Sequence, residues 1–148
     1  MICRTLVILK PDAISRHLVG RIIQRLEDKG FYPLRMVLRR VTQAEAETLY
    51  MMHRGKSFYP NLLRFTCSGP VILSVWEGNN VVRLTRLLVG STNPFSAVPG
   101  SIRGMYAHHL TRNVIHASDT LDNAEREISI FFPDVALMPK KEDGDEEE

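Results

Sequence analysis

Short β-branched or aliphatic runs alternate along this chain with segments of helical periodicity. The predicted strands are residues 5–9, 34–39, 70–76 and 113–117. The predicted helices are residues 18–29, 43–52, 60–66, 81–89 and 122–132. Two βαβ halves in this order predict an α+β fold, an α/β sandwich with a ferredoxin-like βαββαβ core. Its sheet would be antiparallel, with helices on one face and extra helices added, and a small doubly wound sheet is the alternative.

Polar residues and glycines mark the predicted element ends. Thr42 and Glu45 have the spacing of a capping box at the start of the helix over residues 43–52. Gly30 and Gly90 each follow a helical segment as a stop signal. Residues 91–104 contain two prolines and two glycines, so they are predicted as a long loop.

Length and charge limit the domain organisation and the partners. The 148 residues predict one domain over residues 1–138 and an acidic, disordered tail over residues 139–148. Residues 142–148 hold six of the 17 acids, so residues 1–141 carry 19 bases against 11 acids, or +8. Such a basic body indicates a polyanionic partner, a nucleotide or a nucleic acid. A mixed surface kept soluble by scattered charge fits composition equally well.

Cysteine use and hydropathy indicate the cellular setting. Cys3 and Cys67 have no paired spacing, which argues against a disulfide framework or a zinc site and suits a reducing, cytoplasmic compartment. The apolar run at residues 5–9 is too short for a signal-peptide core or a membrane span. No membrane association is therefore expected.

Three common ligand-binding motifs are incomplete or absent in this chain. Gly55, Lys56 and Ser57 resemble the end of a P-loop, but Tyr50 stands where its first glycine is required. The chain has no G-x-G-x-x-G, which disfavours a dinucleotide cofactor. The adjacent pair His108–His109 has no carboxylate or cysteine at metal-ligand spacing.

Two positions are candidate binding or catalytic sites on the basis of residue type and location alone. Lys10 follows a buried strand, where ligands gather in layered α/β proteins, although a strand-terminal lysine in solvent is commoner. His116 closes a strand, with Ser118 and Asp119 at the junction to the next helix, where anions are favoured. Glu127 lies at the margin of that helix's apolar face and could orient the imidazole. A hydrogen-bonded structural histidine remains the alternative.

The chain resembles nucleoside diphosphate kinases. The matching segments occur in the family's order and spacing over residues 4–134, and they read LKPDAI, GFYPLRM, SFYPNLL, SGPVILSVWEG, STNP with PGSIRG, RNVIHASD and AEREISIFF. The resemblance implies transfer of the terminal phosphate of a nucleoside triphosphate to a nucleoside diphosphate, which maintains triphosphate pools. It also implies a ping-pong route through a phosphohistidine, with Mg²⁺.

The resemblance implies roles at the reacting phosphate. His116, in the motif N-x-x-H, would be the nucleophile, and Glu127 with Ser118 would hold its imidazole. Lys10 would bind the transferred phosphate and a sugar hydroxyl, and Tyr50 would lie beside the histidine.

It also implies roles in nucleotide binding. Arg86, Thr92 and Arg103 would hold phosphate oxygens, Asn113 would contact the ribose, and Phe58 would stack on the base. The magnesium ion would be held mainly by the nucleotide phosphates, with Asp119 as a candidate contact through water.

The chain departs from the family pattern at three places. Ala117 and Ala13 replace frequent glycines, and a Cβ at Ala117 must be compatible with the backbone beside His116. The usual C-terminal extension, which contributes to subunit contacts, is replaced by LMPKKEDGDEEE. A homo-oligomer is expected, with a hexamer favoured and a tetramer or dimer as alternatives.

A binding module for single-stranded nucleic acid on the same fold is the competing hypothesis, since the basic body suits it. The complete catalytic set argues against a nucleic-acid partner. Transfer of phosphate to a protein histidine is a third option.

Overall fold

A four-stranded antiparallel sheet forms the centre of the protein in the computed structural model, which describes residues 1–140. The strands are β1 (Ile2–Leu9), β2 (Tyr32–Arg39), β3 (Val71–Asn79) and β4 (Ile115–Ala117), in the order β2-β3-β1-β4. This is the predicted ferredoxin-like arrangement. Of the predicted acidic tail, residues 141–148 lie outside the described part.

Eight helices surround the sheet within the described residues. They are α1 (Pro11–Ser15), α2 (Val19–Asp28), α3 (Gln43–Leu49), α4 (Tyr59–Thr66), α5 (Val81–Val89), α6 (Ile102–Tyr106), α7 (Leu121–Phe131) and α8 (Pro133–Ala136). Short 3-10 turns span Met51–His53 and Pro94–Ser96. None of the helices in residues 1–140 has the length and apolar character that crossing a bilayer requires.

The prediction of one uninterrupted loop over residues 91–104 was wrong. The side chain of Asn93 accepts a hydrogen bond from the backbone N–H of Phe95 and starts a 3-10 turn. The side chain of Ser101 accepts from the backbone N–H of Gly104 and starts α6. Local capping therefore overrides the abundance of proline and glycine in this segment.

The two faces of the sheet carry different helices. The crossover helices α2 and α5 pack on one face, as predicted, against a core that includes Val7 and Trp76. The extra helices α3, α4, α7 and α8 pack on the other face, where Leu6 and Leu73 are fully buried. Each fully buried aliphatic side chain stabilises the fold by about 1.5–3 kcal/mol. The layer count is therefore three, with the sheet in the middle.

The edge strand β2 differs from the other strands in its exposure. Met36, Val37 and Leu38 are all exposed on this strand, although apolar side chains of β1 and β3 are buried throughout. An apolar edge strand left open to solvent is a template for association with another chain.

Arg4 joins β1 to the end of the described chain. Its Nε donates to Oε2 of Glu77 at 2.9 Å, and both side chains are buried. Its Nη1 donates to the carbonyls of Val135 and Met138, and its Nη2 donates to the carbonyl of Pro139. The segment after α8 is thus fastened to the centre of the sheet.

Candidate active site

A cavity of about 550 Å³ opens beside β4. Its size is typical of a small-molecule or nucleotide site. Ten of the eleven residues singled out from the sequence line it: Lys10, Tyr50, Phe58, Arg86, Thr92, Arg103, Asn113, His116, Asp119 and Glu127. The eleventh, Ser118, lies behind Glu127. Residues from seven separate parts of the chain thus meet in one place.

The imidazole of His116 is held by a buried carboxylate. Its Nε2 lies 2.7 Å from Oε1 of Glu127, and the Ser118 hydroxyl donates to the same oxygen at 2.9 Å. Glu127 is only 3% exposed, whereas His116 is half-buried at the cavity wall. A carboxylate can only accept, so this geometry assigns the ring proton to Nε2 and leaves a lone pair on Nδ1.

Tyr50 packs edge-on against this imidazole. The two ring centroids lie 5.8 Å apart at an interplanar angle of 80°. Burial raises the pKa of the Tyr50 phenol well above its ordinary value, and the charge of Glu127 raises it further. The phenol therefore stays neutral and can donate a hydrogen bond to a neighbouring anion.

Lys10 is a buried ammonium surrounded by neutral acceptors. Its Nζ donates to Oδ1 of Asn113 at 2.8 Å and to the carbonyl of Thr111 at 3.2 Å. Burial lowers the pKa of Lys10 to about 7, with Arg103 adding to the effect and Asp12 opposing it. A bound anion would stabilise the charged form of this lysine.

Two arginines extend the positive charge. Arg103 is buried and donates to the carbonyls of Gly90 and Ile115, at 3.0 and 2.6 Å. Burial, together with the neighbouring charge of Arg86, lowers its pKa to about 10. Arg86 is half-buried and contacts the Ala117 carbonyl only at 3.5 Å. Like charges held this close favour an anionic ligand between them.

The outer part of the cavity is largely apolar. Phe58 is partly exposed, and Leu62 and Leu110 complete an apolar surface around it. Sequence reasoning missed His53, whose ring lies 5.2 Å from that of Phe58 and lines the same cavity. Burial and the nearby Lys56 both lower the pKa of His53. Its position three residues after Tyr50 was the available signal.

The remaining polar residues line the cavity mouth. Thr92 is exposed, and its carbonyl accepts from Nδ2 of Asn113 at 3.2 Å. Asp119 accepts from Nδ2 of Asn123 at 2.7 Å, and this bond holds the pKa of the carboxyl below its ordinary value. Within residues 1–140, no three His, Cys, Asp or Glu side chains cluster as a metal site.

Ala117 accommodates its Cβ without backbone strain. It pairs with Val7 in the sheet, its φ lies outside the left-handed region, and its side chain joins the core under α2 and α5. The left-handed residue in this segment is Val114, with φ of +76°. The methyl group at position 117 is therefore not an obstacle to the geometry of His116.

Comparisons with known proteins show which family this chain resembles. The family model described as "Nucleoside diphosphate kinase" matches residues 3–137. A protein of that name from Desulfitobacterium hafniense strain Y51 is 48% identical over 143 residues, covering 97% of this chain and 96% of its own length.

Solved structures agree in fold. The apo nucleoside diphosphate kinase of Encephalitozoon cuniculi superposes with a TM-score of 0.88 at 38% identity, covering 92% of each chain. The enzyme from Halobacterium salinarum, solved in complex with CDP, superposes with a TM-score of 0.87 at 42% identity, covering 95% of this chain and 93% of its own.

Proposed function

This chain belongs to the nucleoside diphosphate kinase family and transfers phosphate between nucleotides, and on that premise we propose that the phosphate is carried on His116. The observation that supports this role is the bond from His116 Nε2 to Glu127 Oε1 at 2.7 Å. It leaves Nδ1 as the nitrogen with a free lone pair, in the wall of the cavity.

In the first half-reaction, Nδ1 of His116 attacks the terminal phosphorus of a nucleoside triphosphate. An N–P bond forms, the bond from phosphorus to the bridging oxygen breaks, and the electron pair leaves with the nucleoside diphosphate. The Glu127 carboxylate, itself fixed by Ser118, stabilises the positive charge that develops on the imidazole. A second nucleoside diphosphate then reverses these steps and takes the phosphate.

The cations and Tyr50 stabilise the charge on the transferring group. Phosphoryl transfer depends mainly on positioning and on electrostatic stabilisation of the equatorial oxygens. We assign Lys10, Arg86 and Arg103 to the phosphate oxygens because they converge on the cavity with too few anions to balance them. The neutral phenol of Tyr50 and the hydroxyl of Thr92 add uncharged donors.

The nucleoside would bind at the outer part of the cavity. Phe58 offers a ring on which any base can stack, because every base has a π-face. We assign Asn113 and Lys10, which are joined by a hydrogen bond of 2.8 Å, to the sugar hydroxyls. Stacking on Phe58 reads no base edge, which predicts tolerance of different bases.

The donor set fits a magnesium ion held mainly by the nucleotide. Mg²⁺ commonly takes one or two carboxylates together with substrate phosphates and waters. Asp119 at the cavity mouth is a suitable carboxylate, since Glu127 is already engaged with His116 and Ser118. When bound there, the ion would neutralise phosphate charge and orient the phosphate chain.

We propose a homo-oligomer, with a hexamer as the first choice, in the cytoplasm. Two separate apolar surfaces support more than one kind of interface: β2, with Met36 and Leu38, and the segment carrying Phe95 and Val98. Light scattering on the eluted protein gives the subunit number, and a monomer mass at micromolar concentration would contradict the proposal. The cytoplasmic assignment rests on the two free cysteines.

The test of the function is capture of the intermediate. Wild-type protein mixed with γ-labelled ATP should become labelled in an acid-labile, base-stable form and pass the label to added nucleoside diphosphate. His116→Ala should abolish both steps, while the control His108→Ala, at an exposed histidine outside the cavity lining, should retain them. Full transfer by His116→Ala would rule out the proposed mechanism.

A further inference from the structure

The side-chain alternation of β4 does not continue back to Asn113, two residues before the strand begins. In an extended strand, successive side chains point to opposite faces, so residue 113 should face away from residue 116. Ile115 and Ala117 follow the rule and are buried in the core under α2 and α5. Val114 also lies in that core, whereas Asn113 lines the cavity together with His116. Asn113 therefore lies on the same side as His116, and not on the opposite side as regular alternation would require.

The change of face coincides with a tight turn centred on Val114. The backbone N–H of Ile115 donates to the carbonyl of Asn113 at 2.9 Å, two residues back, and Val114 has φ of +76°. This is a γ-turn with positive φ, a rare and strained conformation, and it is most unfavourable for a β-branched residue. Such backbone strain persists only where surrounding contacts over-determine it.

Those contacts come from one short segment, Lys10–Pro11–Asp12. The backbone N–H of Lys10 donates to the carbonyl of Val114 at 2.8 Å. Oδ2 of Asp12 accepts from the backbone N–H of Val114 at 3.1 Å. Both peptide groups of the strained residue are thus held from the same side. The ammonium of Lys10 then reaches Oδ1 of Asn113 at 2.8 Å.

We propose that Asp12 is a positioning residue for the reaction, holding the left-handed turn at Val114 that brings Asn113 into the cavity of His116. Asp12 touches neither the nucleotide nor the phosphate in this role, and it acts through the backbone of Val114. The inference rests on the proposed site, because it assumes that Asn113 and Lys10 bind the nucleotide.

The alternative role for Asp12, stabilising the start of α1, does not explain its hydrogen bond to Val114. An acidic residue in the first turn of α1 would stabilise that helix through its dipole. That role needs no acceptor oriented at Val114, over 100 residues away in sequence. The other oxygen, Oδ1, is buried and has no hydrogen-bond partner among the described residues. The Asp12 carboxylate thus directs one oxygen at the turn while the other stays buried without a hydrogen-bond partner among the described residues.

The test compares three variants by steady-state kinetics. Asp12→Ala removes the acceptor for the Val114 N–H, so the turn no longer holds Asn113 in the cavity. KM for the nucleoside diphosphate should rise about tenfold, with kcat changed less than about threefold. Asp12→Asn keeps an acceptor oxygen and should restore most of the loss. In Asp12→Ala/Val114→Gly, glycine accepts positive φ without strain and KM should fall back toward wild type.

The double variant separates positioning from folding. Val114 is fully buried, so Val114→Gly must lower the melting temperature further while it improves KM. A stability defect alone would lower the active fraction, and hence kcat, with KM unchanged. If Asp12→Ala does not fold, Asp12→Ser, whose hydroxyl is too short to reach Val114, takes its place. Asp28→Ala, at an exposed carboxylate on α2, is the matched control.

Two results would overturn the proposal: wild-type KM in the variant lacking the acceptor, or an elevated KM that neither Asp12→Asn nor Val114→Gly improves. Failure of the proposed function is recognised separately, because wild-type protein would then form no phosphohistidine.

Discussion

The two ends of strand β1 each bury a cation, and the surroundings of these cations differ. Arg4 and Lys10 are both 5% exposed. Arg4 faces the carboxylate of Glu77 at 2.9 Å and three carbonyl oxygens, so its charge is balanced. Lys10 donates to an amide and a carbonyl, both neutral. After burial, the largest influence on its pKa is the charge of another cation, Arg103.

This difference separates a structural charge from a functional one. A buried charge is costly unless it is paired and hydrogen-bonded. At Arg4 the protein supplies the pairing itself, so the charge is permanent and inert. At Lys10 the compensation is incomplete and the pKa falls to about 7, which leaves the ammonium in need of an anion. A nucleotide phosphate would supply it.

The largest effect is expected from Arg4→Met. Removal of the guanidinium leaves the buried Glu77 without a partner, and breaking a buried pair in this way costs about 3–5 kcal/mol of unfolding free energy. Activity per folded molecule should be unchanged, because Arg4 lies outside the cavity lining. Urea denaturation and active-site titration measure the two quantities.

The exposed ion pair Arg35–Asp134 is the control for Arg4. Arg35→Met should cost no more than about 1 kcal/mol, the range of surface pairs. Equal losses for Arg4→Met and Arg35→Met would show that burial does not distinguish the pairs, and the comparison would fail.

Lys10→Met should produce the opposite pattern. One missing electrostatic donor at a reacting group costs about 10²–10³ in rate. The free energy of unfolding should stay level or rise, since a poorly compensated buried charge has been replaced by an apolar side chain of similar length. Single-turnover labelling of His116 and thermal unfolding test both halves. A large loss of stability with normal labelling would show that Lys10 stabilises the fold, as Arg4 does, and does not act on the phosphate.

Per pH unit, the smallest effect is a pH dependence of opposite sign for binding and stability. Lys10 titrates at about 7 when folded, against its ordinary value of 10.5. Between these values the unfolded chain binds the additional proton, so this residue makes stability rise with pH across that window. Over the same window kcat/KM should fall, by up to about tenfold per pH unit, because the free enzyme loses its ammonium.

The difference between wild type and Lys10→Met isolates this effect. Arg103 and Asp12, the charged groups that influence Lys10, are present in both proteins and cancel. If the alkaline fall in kcat/KM persists unchanged in Lys10→Met, a different group is responsible for it.

Local signals in the sequence account for much of the fold. The helix over residues 81–89 has the predicted bounds, and the Thr42–Glu45 capping box forms both of its hydrogen bonds. These features depend on neighbours within four residues, which the sequence displays directly. The short helices α1 and α6 were missed because five residues are too few to show a period.

The site was less accessible to local reasoning. Arg86 and Arg103 resemble any surface arginine in sequence, because their burial arises from contacts with distant segments. The resemblance to a family was what assigned both arginines to one site, and both line the cavity in the structure. The turn at Val114 was missed because its residue type predicts an extended strand, and tertiary hydrogen bonds from residues 10–12 override that preference.

The strand order β2-β3-β1-β4 determines when during synthesis the sheet can close. β1 leaves the ribosome first, but its partners β3 and β4 begin at Val71 and Ile115. At a synthesis rate of about 5–20 residues per second, the first strand waits several seconds for its second neighbour. The three-residue strand bearing His116 is also the last to pair, so a nascent chain has most of its sheet before it has an active site.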